Sequence, residues 1–179
     1  RPSPAGENAV GCGVLKMSEW NEELPAEAPE ETRKRIATAR RDLHRPEVIG
    51  LAYGEVVRLT RIDLARAGRL AEAAIWLADA IVDPASRALA ARAMGHFLYL
   101  SRCYAPALVH YEAALEIYES LGRSIDVGRT INGTLQTLIY LGNWTRALSL
   151  AERARLIFEE HHDLLRLARL ECNVANIYY

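Results

Sequence analysis

Apolar residues of two sizes recur at matched spacing along most of this chain, and this recurrence restricts its fold more than any other feature. A large apolar residue is followed by an alanine three residues later and by a second alanine after seven more. The matching positions are Leu70, Tyr104 and Trp144, then Ala73, Ala107 and Ala147, then Ala80, Ala114 and Ala154. Two antiparallel helices approach closely only where side chains are small, so the pattern predicts stacked helical hairpins, with intervals of 34 and then 40 residues.

The rest of the chain after Arg45-Pro46 also favours helices, because its apolar residues recur three and four apart. Gly68 and Gly142 fall where a turn between two helices is expected, and glycine adopts a positive φ there without strain. The large residue after each turn should fill the space beneath it. The sequence therefore predicts an all-α fold, with hairpins at about 48–84, 88–124 and 128–162 and half of a fourth at 166–179.

The two ends of the chain differ from this repeated region. Residues 1–29 are rich in proline, glycine and glutamate, so we expect an irregular acidic leader or residues added to the native N-terminus. A basic helix is predicted from Glu30 to about His44, started by Pro29 and ended by Arg45-Pro46. The chain ends at Tyr179 within a helical pattern and without a cap, so we expect a fragment of a longer protein.

Charge and cysteine content narrow the function classes. The 22 Lys and Arg residues against 23 Asp and Glu residues give a net charge of −1, without the basic excess that nucleic-acid or membrane binding requires. Cys12, Cys103 and Cys172 are odd in number and widely separated, unlike the cysteines of a secreted disulfide scaffold. We expect buried or incidental thiols in a soluble cytoplasmic protein.

Several of these motifs together resemble the tetratricopeptide repeat family. Its 34-residue unit has a first helix of the form W-x-x-L-G-x-x-Y, followed by spaced alanine and aromatic positions. Gly95, Ala107, Tyr111 and Ala114 resemble that unit, and the segment N-V-A-N-I-Y-Y at 173–179 resembles the family's N-L-G-N-A-Y-Y. The 40-residue interval departs from the family and places extra residues at 119–126, in a longer helix or a longer loop.

The resemblance implies a right-handed α-solenoid whose first helices line a concave groove for a peptide or partner segment. It assigns to that groove a set of arginine, amide, histidine and tyrosine side chains. These are Arg92, His96, Tyr99, Arg129, Asn132, Gln136, Tyr140, Arg169, Asn173 and Asn176. Arginines favour an acidic or carboxylate-bearing peptide, amides bind peptide backbone, and tyrosines are frequent at contact hot spots.

Alternatives to a peptide groove remain open at this stage. The arginines could instead solubilise an exposed face and pair with neighbouring glutamates, or the groove could bind the chain's own acidic segment 19–31. The carboxylate clamp of chaperone-binding relatives is not expected, because only Asn173 matches its asparagines. The repeats could also be a regulatory domain of a larger protease-like, kinase or transcription-regulating protein, and exposed solenoid ends predict self-association.

The sequence gives little support for an active site. His161 and His162 are adjacent near a predicted helix C-terminus, where the helix dipole favours them without a metal, and Cys172 is the nearest thiol. Cys103 with His96 or His110 lacks an orienting acid and oxyanion donors. We therefore predict an interaction scaffold with no active site, no metal and no cofactor.

Overall fold

The structure, a computed structural model, describes residues 28–175, and all regular elements in this range are helical. The α-helices are α1 (Glu30–Ala39), α2 (Pro46–Leu59), α3 (Leu64–Ile81), α4 (Pro84–Leu100), α5 (Tyr104–Ser120), α6 (Ser124–Tyr140), α7 (Trp144–Glu160) and α8 (Leu164–Ala175), with one short 3-10 helix at Arg41–Leu43. The all-α prediction is confirmed. The expected irregular leader falls almost wholly outside the described residues, as do Asn176 and Tyr179.

The chain divides into two compact units within α4, between Ala93 and Met94. In the first unit, α1 and α2 both pack against α3. In the second unit, α6 packs against α5, α7 and α8, and α7 also packs against α8. Consecutive helices therefore pack against each other, as a helical repeat requires. No helix among residues 28–175 is both long and apolar enough to cross a membrane.

Residues in the left-handed conformation occur every twenty residues along the repeated region. These residues are Val82, Arg102, Gly122, Gly142 and His162, with φ between 53° and 72°. In the last four turns, the amide of the next residue donates to the carbonyl of the residue five positions before it, for example Asn143 to Leu138 at 2.9 Å. This bond and the left-handed residue before it define a Schellman motif, which ends one helix and leaves three residues before the next.

The repeat length is therefore 40 residues throughout, and the predicted interval of 34 is wrong for the first hairpin. Gly68 lies buried inside α3 instead of in a turn. The turn comes earlier because the carboxylate of Asp63 caps α3, accepting a hydrogen bond from the amide of Arg66 at 2.9 Å. As a result Ala80 is exposed, and the position equivalent to Ala114 is Ala74.

With this register, the sequences of α3, α5 and α7 align at four sets of buried positions. They are small or aromatic and all are buried. The sets are Ala67, Ala107 and Ala147; Ala71, Tyr111 and Ala151; Ala74, Ala114 and Ala154; and Ala78, Tyr118 and Phe158. The second helix of each hairpin thus packs through a constant alanine pair, and the extra residues belong to longer helices instead of loops.

The predicted basic helix is present but ends at Ala39, five residues before the expected His44. Arg40 leaves the helical conformation with a ψ of 76°, and the following 3-10 turn buries Leu43. Arg33 joins α1 to α3, because its guanidinium donates to Glu72 at 3.0 Å and to the carbonyl of Ala28 at 2.9 Å.

Candidate protein-binding surface

One face of α6 presents four of the predicted groove residues. Arg129, Asn132, Gln136 and Tyr140 are spaced three, four and four residues apart, which places them on one side of a helix. None of the four is fully buried, and Tyr140 is 59% exposed. Helix α8, which packs against α6, adds Asn173 to this face.

Amide side chains from α6 and α8 meet on this face. The side-chain nitrogen of Asn173 donates to the side-chain oxygen of Asn132 at 2.8 Å. The Gln136 amide donates to the backbone carbonyl of Asn173 at 3.5 Å. Because a side-chain amide has two donor hydrogens and an acceptor oxygen with two lone pairs, these bonds use only part of the capacity of the cluster. The structure therefore brings Asn132, Gln136 and Asn173 together.

Three tyrosines gather at the C-terminal end of the same face. The rings of Tyr104 and Tyr140 are stacked, with centroids 4.5 Å apart and planes within 2° of parallel. Tyr99 lies 6.1 Å from Tyr104 and 6.2 Å from Tyr140, tilted by about 45° to both. We call Tyr99, Tyr104 and Tyr140 the tyrosine cluster. Tyr99 and Tyr140 were predicted to line the groove, whereas Tyr104 was not.

Leu70, Tyr104 and Trp144 were expected to follow the turns and fill the space beneath them. Leu70 instead lies buried inside α3, and Tyr104 and Trp144 begin their helices but are not buried. The equivalent residues Leu64 and Trp144 are 38% and 46% exposed, and Tyr104 is half-buried. Each is the first residue of its helix.

The phenol groups of the tyrosine cluster are partly removed from water. Burial raises the pKa of Tyr99 above its ordinary value, and the neighbouring phenols of Tyr140 and Tyr104 raise it further. The phenol of Tyr99 is therefore neutral at physiological pH, and the three side chains of the cluster are hydrogen-bonding groups. They combine apolar ring area with hydroxyl groups that can donate or accept.

The predicted arginines do not all occupy equivalent positions of the 40-residue repeat. Arg129 and Arg169 occupy equivalent positions of α6 and α8, but the 40-residue register aligns Arg92 with Asn132. Arg92 belongs to the first unit, where its guanidinium lies 4.6 Å from the ring centroid of Tyr53 and donates to the Tyr53 hydroxyl at 2.8 Å.

The charge near the start of α6 is positive. Asp126, only 5% exposed, accepts from Arg129 at 3.2 Å and from Arg123 at 2.7 Å. Arg129 thus pairs with a neighbouring carboxylate, although the partner is an aspartate and not a glutamate as the alternative had it. Two guanidinium groups nevertheless share a single carboxylate, and Arg169 on α8 is exposed.

His96 is half-buried in the second-unit part of α4, at the position equivalent to Gln136. The next equivalent position is Asn176, which lies outside the described residues. Cys103 and Cys172 are free and exposed, so of the expected buried or incidental thiols neither of these two is buried. In residues 28–175, no group of three or more His, Cys, Asp or Glu side chains could hold a metal ion.

His161 follows the last residue of α7, as expected for a histidine near a helix C-terminus. Its Nε2 atom lies 2.6 Å from the hydroxyl of Ser124, the first residue of α6. The pair links the end of α7 to the beginning of α6. It serves the packing of two antiparallel helices.

Comparison of the chain with protein-family models and with curated proteins gave no match.

Proposed function

We propose that this chain is a non-catalytic interaction scaffold that binds an extended segment of another protein across α6 and α8. The observation that supports this most is the meeting of the Asn132, Gln136 and Asn173 amides on the face that ends in the tyrosine cluster. An extended peptide backbone presents alternating donors and acceptors, which amide side chains can satisfy together. We call this face of α6 and α8 the amide–tyrosine surface.

The three chemical features of this surface suit different parts of one peptide. The amides bind its backbone, and the tyrosine cluster offers rigid ring area to an apolar or proline side chain. The excess of guanidinium groups around Asp126, with exposed Arg169 on α8, favours an acidic ligand. The proposed ligand is therefore an acidic peptide with at least one apolar side chain.

We further propose that the hairpins belong to a right-handed α-solenoid of the tetratricopeptide type, with a 40-residue unit. The alanine pair of each second helix and the left-handed turns support this assignment. The unit length departs from the family's 34 residues, because each helix from α4 to α7 has 17 residues and each turn has three. The cytoplasmic location expected from the cysteines remains part of the proposal.

Selection of peptides from a displayed random library on the intact chain tests this function. We expect enriched peptides to contain Asp or Glu beside an aromatic, leucine or proline residue. Their binding should weaken at least tenfold with Tyr140→Ala and with Asn173→Ala. Val109→Ala is the matched control, because Val109 is 64% exposed on α5 and lies outside the surface. Enriched peptides that bind all three variants equally would disprove the assignment of this surface.

A further inference from the structure

Arg69 of α3 is a half-buried arginine whose guanidinium lacks an acceptor among residues 28–175. Its Nε atom is buried and has no hydrogen-bond partner there, and no carboxylate in this part of the chain forms an ion pair with it. A buried donor without an acceptor is costly to folding, and the cost is higher on a charged group. Arg69 therefore calls for an acceptor from outside the described residues.

Arg33 of α1 shows where the preceding chain enters this region of the first unit. Its guanidinium donates to the carbonyl of Ala28 at 2.9 Å and to the carboxylate of Glu72 at 3.0 Å. Glu72 follows Arg69 by three residues, so the two side chains lie on the same side of α3, about 5 Å apart along its axis. The chain that precedes Ala28 therefore reaches α3 within one helical turn of Arg69.

The segment 18–27, which directly precedes Ala28, carries only negative charge. Its sequence S-E-W-N-E-E-L-P-A-E contains four glutamates and no lysine or arginine. The last of them, Glu27, adjoins Ala28, and the Cα atoms of neighbouring residues are about 3.8 Å apart. Because glutamate and arginine side chains are both long, the Glu27 carboxylate can reach the guanidinium of Arg69.

Other carboxylates are less suited to this position. Glu72 already accepts from Arg33, and Glu30 and Glu31 at the start of α1 are exposed. A separate molecule would have to find a buried nitrogen atom by diffusion. The segment 18–27 is instead held beside it by the chain itself, which gives its carboxylates a high effective concentration.

We propose that the segment 18–27 binds along α1 and α3 of the first unit, with the Glu27 carboxylate accepting from the Arg69 guanidinium. Such a bond is charge-assisted and satisfies a donor that is otherwise buried without an acceptor. The segment then fastens α1 to α3 beside the contact that Arg33 already makes. It is a structural part of the first unit and does not act as a ligand for the amide–tyrosine surface.

Zero-length cross-linking of the intact chain identifies the carboxylate beside position 69. Arg69→Lys keeps the positive charge and provides a primary amine, which a water-soluble carbodiimide joins only to a carboxylate in direct contact. Mass spectrometry of the peptides then locates the linked residue. Mixing unlabelled chains with chains labelled with heavy nitrogen separates links within one chain from links between two.

We expect a link from position 69 to Glu27 within one chain. Arg87→Lys is the matched control, because Arg87 is exposed on α4 and should give no link to the segment 18–27.

Charge reversal provides a second measurement on the intact chain. Arg69→Glu should increase amide hydrogen exchange in residues 18–27 by about tenfold, because the segment loses its attachment. Combining Arg69→Glu with Glu27→Lys should restore the slow exchange. Combining it with Glu22→Lys should not, since Glu22 is not the assigned partner.

Three results would overturn the proposal. The first is a link from position 69 to a carboxylate of residues 28–175, or no link at all. The second is a link between two chains, which would assign the carboxylate to a second copy. The third is equal hydrogen exchange in Arg69→Glu and the unaltered chain. None of these results concerns the amide–tyrosine surface, which belongs to the second unit, so the proposed function is tested separately.

Discussion

Gly128 and Phe158 are in direct contact across the α6–α7 interface: a Cβ atom on Gly128 would lie 2.9 Å from a ring carbon of Phe158. Real side chains do not approach so closely, so the ring rests on the backbone of α6. Phe158 is fully buried, and its equivalents Tyr118 and Ala78 are buried as well. The contact shows how the two helices of one hairpin pack together in the second unit.

Enlarging Gly128 should therefore destabilise the second unit. We expect Gly128→Leu to lower the free energy of unfolding by about 1–3 kcal/mol, the usual cost of overpacking a core. Chemical denaturation followed by circular dichroism measures this loss. The control is Gly54→Leu, since a Cβ atom on Gly54 meets nothing within 4 Å and leucine favours helices. An unchanged stability for Gly128→Leu would contradict the close packing.

Substitutions at the left-handed turn residues should change stability in opposite directions, depending on whether they introduce or remove a glycine. Val82 has a φ of 59° and is 79% exposed, although a β-branched residue disfavours this conformation strongly. We expect Val82→Gly to raise the melting temperature, with a gain of about 1 kcal/mol. Gly142→Ala should lower stability by about the same amount, because Gly142 has a φ of 72°. Thermal unfolding compares the two, and a loss on Val82→Gly would show that the turn assignment is wrong.

The tyrosine cluster predicts a stability change at alkaline pH. Burial, Tyr140 and Tyr104 raise the pKa of Tyr99 above its ordinary value, so the folded chain holds a proton that the unfolded chain releases. The stabilisation is complete below the ordinary tyrosine pKa of about 10 and is lost as pH rises through the raised value.

Carbon-13 NMR of labelled tyrosine follows this titration directly. We expect Tyr140→Phe to lower the pKa of Tyr99 towards its ordinary value, since one ionisable neighbour is removed. Tyr118→Phe is the control, because Tyr118 lies beside Arg123 and is not part of the cluster. An unaltered Tyr99 titration in the Tyr140→Phe chain would mean that the two phenols are not neighbours.

The attachment of helix α1 to α3 should depend on Arg33. Arg33 is 17% exposed and bonds both Glu72 of α3 and the carbonyl of Ala28. We expect Arg33→Ala to cost about 1–2 kcal/mol and to increase amide hydrogen exchange across residues 30–39. Lys34→Ala, at an exposed neighbour, should change neither. Equal exchange in both variants would leave the attachment of α1 to other contacts.

The sequence was sufficient to predict the hairpins, because the recurring small residues report directly on helix packing. Ala107, Ala114, Ala147 and Ala154 are all fully buried, and Gly142 has the positive φ expected of a turn. The first hairpin was misaligned because Gly68 resembles a turn residue. Its true turn uses the Asp63 cap and contains no glycine, so the local signal favoured the wrong position.

The candidate surface was predicted less completely. Tyr99 and Tyr140 were identified, but their contact with Tyr104 depends on which residues two different helices bring together. The pairing of Arg129 with Asp126 could be anticipated from their three-residue spacing, whereas the contact of Arg92 with Tyr53 joins residues 39 positions apart. Periodicity shows which side of a helix a residue occupies, but tertiary packing decides its neighbour.

The central claim is that the amide–tyrosine surface binds another protein, and site-specific photo-cross-linking in the source cells tests it most directly. A benzoylphenylalanine is placed at position 140, or at position 109 of comparable exposure as the control. We expect a discrete cross-linked adduct at position 140 that disappears with Asn173→Ala, and none at position 109. Identical adduct patterns at both positions, or an adduct unaffected by Asn173→Ala, would contradict the account.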